Sequence, residues 1–353
     1  MDKIRVGVLG ATGLVGQVFT YILSEHPWFE LSFLAASKAS AGRRYGDVVK
    51  AYRPVPLPAS VAEEIVVEGK PDDIPKDVEI LFSALPSKIA GEMEVQLARK
   101  GFIVVSNASP LRLEDDVPLV NPEINLDHLQ LLELQKRKRG WKGFIVKNPN
   151  CTTAILTLTL KPLLQEFGIR KVVMTSMQGL SGAGFPGVPA LQIVDNIIPY
   201  IEGEEYKVEH ETLKILGELD GDRVKEADIK VTATCTRVPV LDGHTEAVFV
   251  ELKKKACIEE VIQAFEEFKG KPQEMKLPSA PQRPIVVRHE KDRPQPRLDR
   301  WEGKGMSVVV GRIREDNTLN PGVKYLVTGH NLVRGAAGIA VLIAEAMVKL
   351  DYV

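Results

Sequence analysis

The sequence predicts an α/β protein of two domains, a doubly wound parallel sheet followed by an α+β domain with a mostly antiparallel sheet. Three observations carry this. Up to about residue 150, short apolar runs alternate with longer helical ones, the signature of a parallel sheet covered on both faces. A glycine-rich turn joins the first such run to the first helix. Further on, β-like runs dominate. At 353 residues the chain is long enough to bury two cores.

Hydrophobic residues make up 44% and charged residues 26%, an ordinary globular composition. A formal net charge of -1 gives no reason to expect nucleic acid or an anionic membrane as partner. The basic run Lys136–Arg139 ends a predicted helix, where cations suit the dipole, and reads as a solvated face. Three cysteines make no disulfide framework, and none is spaced with histidine as zinc ligands are. No apolar run reaches the roughly 18 residues of a membrane span, and no basic-then-apolar leader precedes the first strand. A cytoplasmic protein is expected, without a metal.

Ile4–Leu9 is an apolar strand that runs at once into Gly10-Ala11-Thr12-Gly13-Leu14-Val15-Gly16 and a helix through Leu23. Glycines at such a junction let backbone approach a pyrophosphate resting on the helix N-terminus. The spacing departs from the usual GxGxxG, and glycine turns are common; the strand before and helix after are what point to a dinucleotide. The next strand, Leu31–Ala35, leads to Ser37, Lys38 and Ser40, then Arg43 and Arg44. An NAD site usually has an acid near here for the ribose 2′-hydroxyl. Hydroxyls and cations suit a 2′-phosphate instead, which favours NADP over a merely solvated loop. Glu79–Leu85 (strand), Ile89–Lys100 (helix) and Phe102–Val105 (strand) continue the alternation. Ser83 falls at a strand's carboxyl end, where ligands of these sheets bind. Arg112, in the loop after the next strand, either reaches an anion or lies on the surface.

Asn148-Pro149-Asn150-Cys151-Thr152-Thr153 closes the strand-like Phe144–Val146 and opens the helical Ala154–Phe167. A cysteine at a helix N-terminus sits in a field that favours thiolate, making it a nucleophile near neutral pH. Thr152 and Thr153, with Asn150, would add donors for an oxyanion. Buried structural cysteines are also common, and the hexapeptide alone leaves both readings open.

Lys171–Gln178 is a strand leading into the glycine loop Gly179–Gly187, and two helices are expected over Val188–Ile201 and Glu204–Leu219. Glu211 and Lys214 share a helix face, usually as a surface ion pair. Strands are expected over Ile229–Val240, His244–Leu252, Ile285–Arg288, Met306–Arg314 and Lys324–Thr328, with Asp242-Gly243 signalling a hairpin. His244 follows that turn and Arg237 precedes it. His330 suits a ligand contact or a cap. The apolar stretch Leu332–Leu350 is expected as a helix on the first domain, giving a nucleotide domain of 1–150 plus 331–353 and a second domain of 151–330.

Together these pieces resemble the aspartate-semialdehyde dehydrogenases, particularly the archaeal and fungal branch. The resemblance rests on the Gly10–Gly16 turn, Asn148–Cys151, Arg237–His244, Arg293–Arg297 and Asn331–Ala337, in that order along nearly the whole chain. It implies a Rossmann-type NADP domain and a catalytic and dimerisation domain, assembled as a homodimer or homotetramer. It implies Cys151 as nucleophile, His244 as general acid/base and Gln178 as substrate-orienting. Arg237 would grip the substrate α-carboxylate and Glu211 its amino group, while Arg112 and Lys214, kept together with Asn150, would serve an acyl phosphate. Cofactor contacts would come from Gly10, Thr12, Gly13, Leu14, Val15, Ser37, Lys38, Ser40, Ser83, Ser181, Gly182 and Asn331, the last near the nicotinamide carboxamide.

The implied reaction reduces L-4-aspartyl phosphate to aspartate semialdehyde through a cysteine thioester. A malonyl-CoA reductase would need the same cysteine and histidine but different residues before the cysteine and a CoA site. An N-acetylglutamyl-phosphate reductase typically has glycine where Asn150 stands. A non-catalytic NADP-binding sensor would have no use for an intact Cys151 and His244.

Overall fold

The structure, a computed structural model, describes residues 3–50 and 57–353; residues 1, 2 and 51–56 of the expected first domain lie outside the described residues. The chain folds as two compact units, the first made of Met1–Val120, Asp127–Asn148 and Ala336–Val353, the second of Asn121–Leu126 and Pro149–Gly335.

In the first unit, strands β1 (Ile4–Leu9), β2 (Phe29–Ala36), β3 (Val67–Glu68), β4 (Ile80–Ser83), β5 (Ile103–Ser106) and β6 (Phe144–Lys147) form one sheet in the order β3-β2-β1-β4-β5-β6. Every neighbouring pair is parallel. β4 and β6 are buried at every position, as expected of strands with helices on both faces. Leu9, Phe33, Leu81, Leu97, Val104, Trp141 and Ile145 belong to one apolar core. Helices α1 (Leu14–Ser24), α2 (Ser87–Lys100) and α3 (Leu131–Arg139) cover the sheet.

The Lys136–Arg139 run is only partly the solvated face expected. Arg139 pairs with Asp116, whose side chain is buried, and its guanidinium lies 5.0 Å from the Trp141 ring centroid. At the carboxyl ends of β4, β5 and β6, Ser83, Ser106 and Lys147 all bind the buried carboxylate of Glu94.

The second unit begins with α4 (Cys151–Phe167), followed by β7 (Ile169–Gln178), α5 (Glu204–Ile215), the ribbon β8 (Glu218–Asp220) and β9 (Arg223–Lys225), β10 (Lys230–Arg237) and β11 (His244–Leu252). Then come α6 (Ile258–Glu267), β12 (Ile285–Arg288), β13 (Val308–Asp316) and β14 (Gly322–Gly329). The sheet order is β10-β7-β11-β14-β13-β12. The three central pairs are antiparallel and the two outer pairs parallel, a mixed sheet.

Several local expectations are corrected. Asp242-Gly243 does not turn a hairpin, because β7 lies between β10 and β11 and pairs with both. The connecting segment bonds the glycine loop instead, through Leu180 N–H to Val240 O (2.7 Å) and Ser181 N–H to Leu241 O (3.0 Å). Over Val188–Ile201 only Ala190–Ile193 is helical. Asp195 takes a left-handed φ of 59°, and Ile198 bridges to Arg237 of the sheet. The helix expected to reach Leu219 stops at Ile215, and Glu218 starts the ribbon.

The last helix begins with a π-helical turn, Val333–Ala337, before α7 (Gly338–Lys349). α7 packs on α1, β4 and β5 of the first unit, as expected, and its buried Glu345 meets the buried His26 at 2.8 Å.

The unit limits also differ from the expected 1–150, 151–330 and 331–353, chiefly at residues 121–126. Arg334, fully buried, holds both carboxylate oxygens of Glu123, while Asn121 donates to the Ala154 carbonyl of α4. Those bonds tie the segment to the second unit. Among the described residues no helix is long and apolar enough to cross a membrane, and no cluster of metal-binding residues is present.

Candidate active site

Cys151 is the first residue of α4, and its Sγ lies 3.2 Å from His244 Nε2 at the start of β11. Register sets the rest. Arg237 of β10, Gln178 of β7 and His244 of β11 stand side by side across the sheet. Three strands therefore deliver three site residues in one row.

The cap of α4 corrects one expectation. Asn150 Oδ1 accepts the N–H groups of Thr152 (2.9 Å) and Thr153 (3.2 Å), so those two donors are already used and do not await an oxyanion. The Thr152 hydroxyl turns toward Glu204, at 3.4 Å. Gly335 closes over the cysteine: a Cβ there would stand 2.6 Å from Cys151 Cβ, which is a reason for glycine at that position.

His244 is fully buried. Burial, reinforced by the Arg237 cation, pushes its imidazole down to about 3, against the opposing pull of Glu204. Its Nδ1 accepts the Gly179 N–H at 3.1 Å, which places the neutral ring's proton on Nε2, toward the sulfur. The nearby backbone of Gly243 pulls the other way, toward the protonated form. His244 thus faces Cys151 as a donor.

Glu211 and Lys214 are not the surface pair expected. Both are buried on α5, and Glu211 Oε2 accepts the Asn150 N–H at 2.6 Å. Arg237 is buried, with Nη1 donating to the Gly179 carbonyl at 2.8 Å, and burial pulls its pKa down. A Cβ on Gly182 would lie 2.6 Å from Arg237 Nη1 and 3.1 Å from His244 Cε1, so the glycine loop passes directly against both. Asn331 joins that loop to the turn before His244: its Nδ2 donates to Ser181 Oγ (2.9 Å), and its Oδ1 accepts the Gly243 N–H (2.8 Å). His330 behaves as a buried structural residue, its Nδ1 accepting the Leu332 N–H at 3.3 Å.

Sequence reasoning does not single out Glu204, which reads there only as the start of a helix. It sits on the same face of α5 as Glu211, two turns earlier, and its spacing to Glu211 is the signal that could have found it.

In the first unit, the Gly10–Gly16 turn fits a dinucleotide. Gly10 has φ +78°, and a Cβ there would lie 2.6 Å from the Ala84 carbonyl; one on Gly16 would lie 2.2 Å from the Gly10 carbonyl. Gly13 caps α1 without a side chain, so the N–H groups at Leu14 and Val15 have no side-chain cap. The Thr12 carbonyl accepts from Gln17 Nε2 at 3.2 Å, bracing the turn. Ser37, Lys38 and Ser40 follow β2, where the Ser37 carbonyl accepts the Ser40 N–H at 2.9 Å in a tight turn. The Ser83 hydroxyl is buried and donates to Glu94 Oε1 at 2.7 Å, and its carbonyl accepts the Asn107 N–H at 3.0 Å. Arg112 is buried in this unit and donates to the Asn107 carbonyl at 2.6 Å.

A thiol with an imidazole partner, in a chain that also carries a dinucleotide-type parallel sheet, is the equipment of a dehydrogenase working through a cysteine thioester. Comparison with known proteins narrows the class. The domain model described as "Semialdehyde dehydrogenase, NAD binding domain" matches residues 5–132, and "Semialdehyde dehydrogenase, dimerisation domain" matches residues 160–334. An aspartate-semialdehyde dehydrogenase of Archaeoglobus fulgidus is 56% identical over 98% of this chain and 98% of its own. A crystal structure of aspartate semialdehyde dehydrogenase with NADP from Candida albicans superimposes with TM-score 0.90 at 40% identity, covering 99% of each chain. A malonyl-CoA reductase (NADP) of Metallosphaera sedula is less similar, 41% identical over 99% of this chain and 98% of its own. The chain belongs to the aspartate-semialdehyde dehydrogenase family.

Proposed function

We propose that the enzyme reduces L-4-aspartyl phosphate to L-aspartate 4-semialdehyde, releasing phosphate, as an NADP-dependent step in lysine, threonine, methionine and isoleucine biosynthesis. The observation that carries this is Cys151 Sγ at 3.2 Å from His244 Nε2, in line with Gln178 and a buried Arg237. Arg237 spends one N–H on the Gly179 carbonyl, and among the described residues its other N–H groups have no protein partner. A guanidinium with N–H groups to spare can take an anion in two parallel bonds, and the substrate α-carboxylate fits it.

In this reading Cys151 Sγ attacks the acyl carbon, phosphate leaves and a thioester forms on the sulfur. Nε2–H of His244 hydrogen-bonds the oxyanion that develops at that carbon, when phosphate leaves and again after hydride addition, until the C–S bond breaks to release the aldehyde and the Cys151 thiolate. Glu211 meets the substrate amino group, Gln178 orients the substrate, and Lys214 and Arg112 serve the phosphate. When bound, NADPH supplies the hydride. Gly10, Thr12, Gly13, Leu14 and Val15 would hold its pyrophosphate and Ser37, Lys38 and Ser40 its 2′-phosphate, with Ser83 beside them. Ser181, Gly182 and Asn331 would hold the nicotinamide end.

Assembly as a homodimer or homotetramer is supported by the dimerisation-domain match and by exposed apolar side chains at Leu191, Val194, Ile197 and Tyr200. Free cysteines agree with a cytoplasmic location.

The test is phosphate-dependent reduction of NADP⁺ by aspartate semialdehyde, in the native protein and in Cys151→Ala. Turnover is expected to require phosphate and to fall by about 10⁴-fold or more in the variant. Absence of turnover in the native protein, with malonyl-CoA oxidising NADPH instead, would overturn the reading.

A further inference from the structure

The site contains a carboxylate to which neither the family resemblance nor the proposed reaction assigns a role. Glu204 Oε1 accepts from Asn150 Nδ2 at 2.9 Å, from Gln178 Nε2 at 3.1 Å and from Thr152 Oγ1 at 3.4 Å. Its other oxygen lies 3.5 Å from Lys207 Nζ. The residue is only 5% exposed. Burial pushes its carboxyl pKa up, but Lys207 and the two amides outweigh that and hold it below the ordinary carboxylate value, so it is ionised.

A carboxylate only accepts hydrogen bonds, so both amides must turn their NH₂ groups toward it. For Gln178, whose Nε2 also reaches Ser176 Oγ at 3.2 Å, this leaves the carbonyl Oε1 as its remaining end. For Asn150 it leaves Oδ1 to cap α4, as observed. The same oxygen therefore touches the residues on both sides of Cys151 and the end of the neighbouring strand.

We propose that Glu204 is a positioning residue of this site: it locks the Gln178 amide so that an acceptor is presented to the substrate, and it ties that amide to the cap of the cysteine helix. The substrate atom that meets Gln178 is then a hydrogen-bond donor. This inference rests on the dehydrogenase reading for its kinetic consequences, though not for the geometry.

A second carboxyl on the same sheet gives the contrast. Glu246, fully buried, makes no hydrogen bond through either oxygen, and burial raises its pKa well above the ordinary value. It is neutral and fixes nothing nearby, whereas Glu204 has charge and four donors.

The other charged or titratable groups facing this corner are Lys207, Glu211 and Lys214 from α5, Arg237 and Cys235 from β10, His244 and Glu246 from β11, and His330 after β14. His244, pushed down to about 3, stands neutral beside the sulfur. Removing the adjacent negative charge then favours thiolate.

The experiment uses the full-length protein with Glu204→Gln, Glu204→Ala, Gln178→Ala and the Glu204→Ala/Gln178→Ala double variant. Glu204→Gln keeps an acceptor oxygen for the amides and removes the charge; Glu204→Ala removes both. Glu204→Ala is expected to lower kcat about 100-fold, with Glu204→Gln recovering about tenfold of that. In the Gln178→Ala background the same change is expected to cost far less, because the two act as one unit.

Iodoacetamide alkylation of Cys151 against pH needs no substrate, and its midpoint is expected to fall by about one unit in Glu204→Gln. An unmoved midpoint, or full additivity in the cycle, would overturn the proposal. If Glu204→Ala does not fold, Glu204→Gln carries the test by its midpoint and kcat. A native protein that oxidises no semialdehyde counts against the proposed function instead, and the alkylation curve still judges Glu204.

Discussion

Two helices of this chain begin just after a parallel strand, and they use their N-termini in opposite ways. α1 starts at Leu14 behind Gly13, which offers no side-chain cap, and the turn before it is glycine wherever backbone comes closest. α4 starts at Cys151 behind Asn150, whose side-chain amide oxygen takes the N–H groups of Thr152 and Thr153. The first end is left open for an outside anion. The second is closed, and the polarity around its sulfur is set by side chains from the facing sheet and from α5. One residue decides which: a glycine or an asparagine at the cap. A cysteine at a helix N-terminus is therefore not automatically activated by free N–H groups, and here His244 and the charges around it must be counted first.

Converting the open end into a closed one is the strongest challenge to this contrast. Gly13→Asp should cap α1, leaving thermal stability unchanged or slightly raised, while placing a carboxylate where pyrophosphate binds. The Kd for NADP⁺ is expected to rise about 100-fold by fluorescence titration, with Cys151 alkylation unaffected. An unchanged Kd would mean that the open end is not the anion site.

A second effect probes the closed end through acid. His244 is pushed down to about 3 and His330 to about 4, both from 6.5, each mainly by burial. The unfolded chain therefore takes up protons first as pH falls below 6.5, and stability declines from there toward the folded values. Each imidazole is expected to cost about 1.4 kcal/mol per pH unit across that window. Urea unfolding between pH 6.5 and 4.5 should show a shallower decline for His244→Asn than for the native chain. Equal slopes would mean that His244 charges readily in the folded state.

The smallest effect is at the cap. Asn150→Ala should cost about 1 kcal/mol of stability from the lost cap. Activity should fall further than that loss alone predicts, since Glu204 also loses a donor. A stability change without an activity change would reduce Asn150 to a structural cap.

What is legible in the sequence follows the range of the interactions. The Gly10–Gly16 turn and the Cys151 junction are readable because strand, turn and helix lie within one short stretch. The β7-β11 pairing is not, since β7 comes from far upstream and displaces the hairpin that Asp242-Gly243 suggests. Val188–Ile201 has apolar residues at helical spacing, yet Leu191 is 98% exposed and Ile198 pairs with Arg237. Glu204, Glu211 and Lys214 look like an ordinary solvated helix face, and all are buried. Charged residues that are buried for a site cannot be told from surface charges by periodicity alone.

The decisive measurement is to catch the acyl group on sulfur. The protein would be mixed with aspartate semialdehyde and NADP⁺ without phosphate, quenched in acid, and its peptides weighed. An aspartyl increment is expected on the peptide that carries Cys151, discharged when phosphate is added before quenching. No increment there, with turnover intact, or an increment on the exposed Cys257 instead, would contradict a thioester on Cys151.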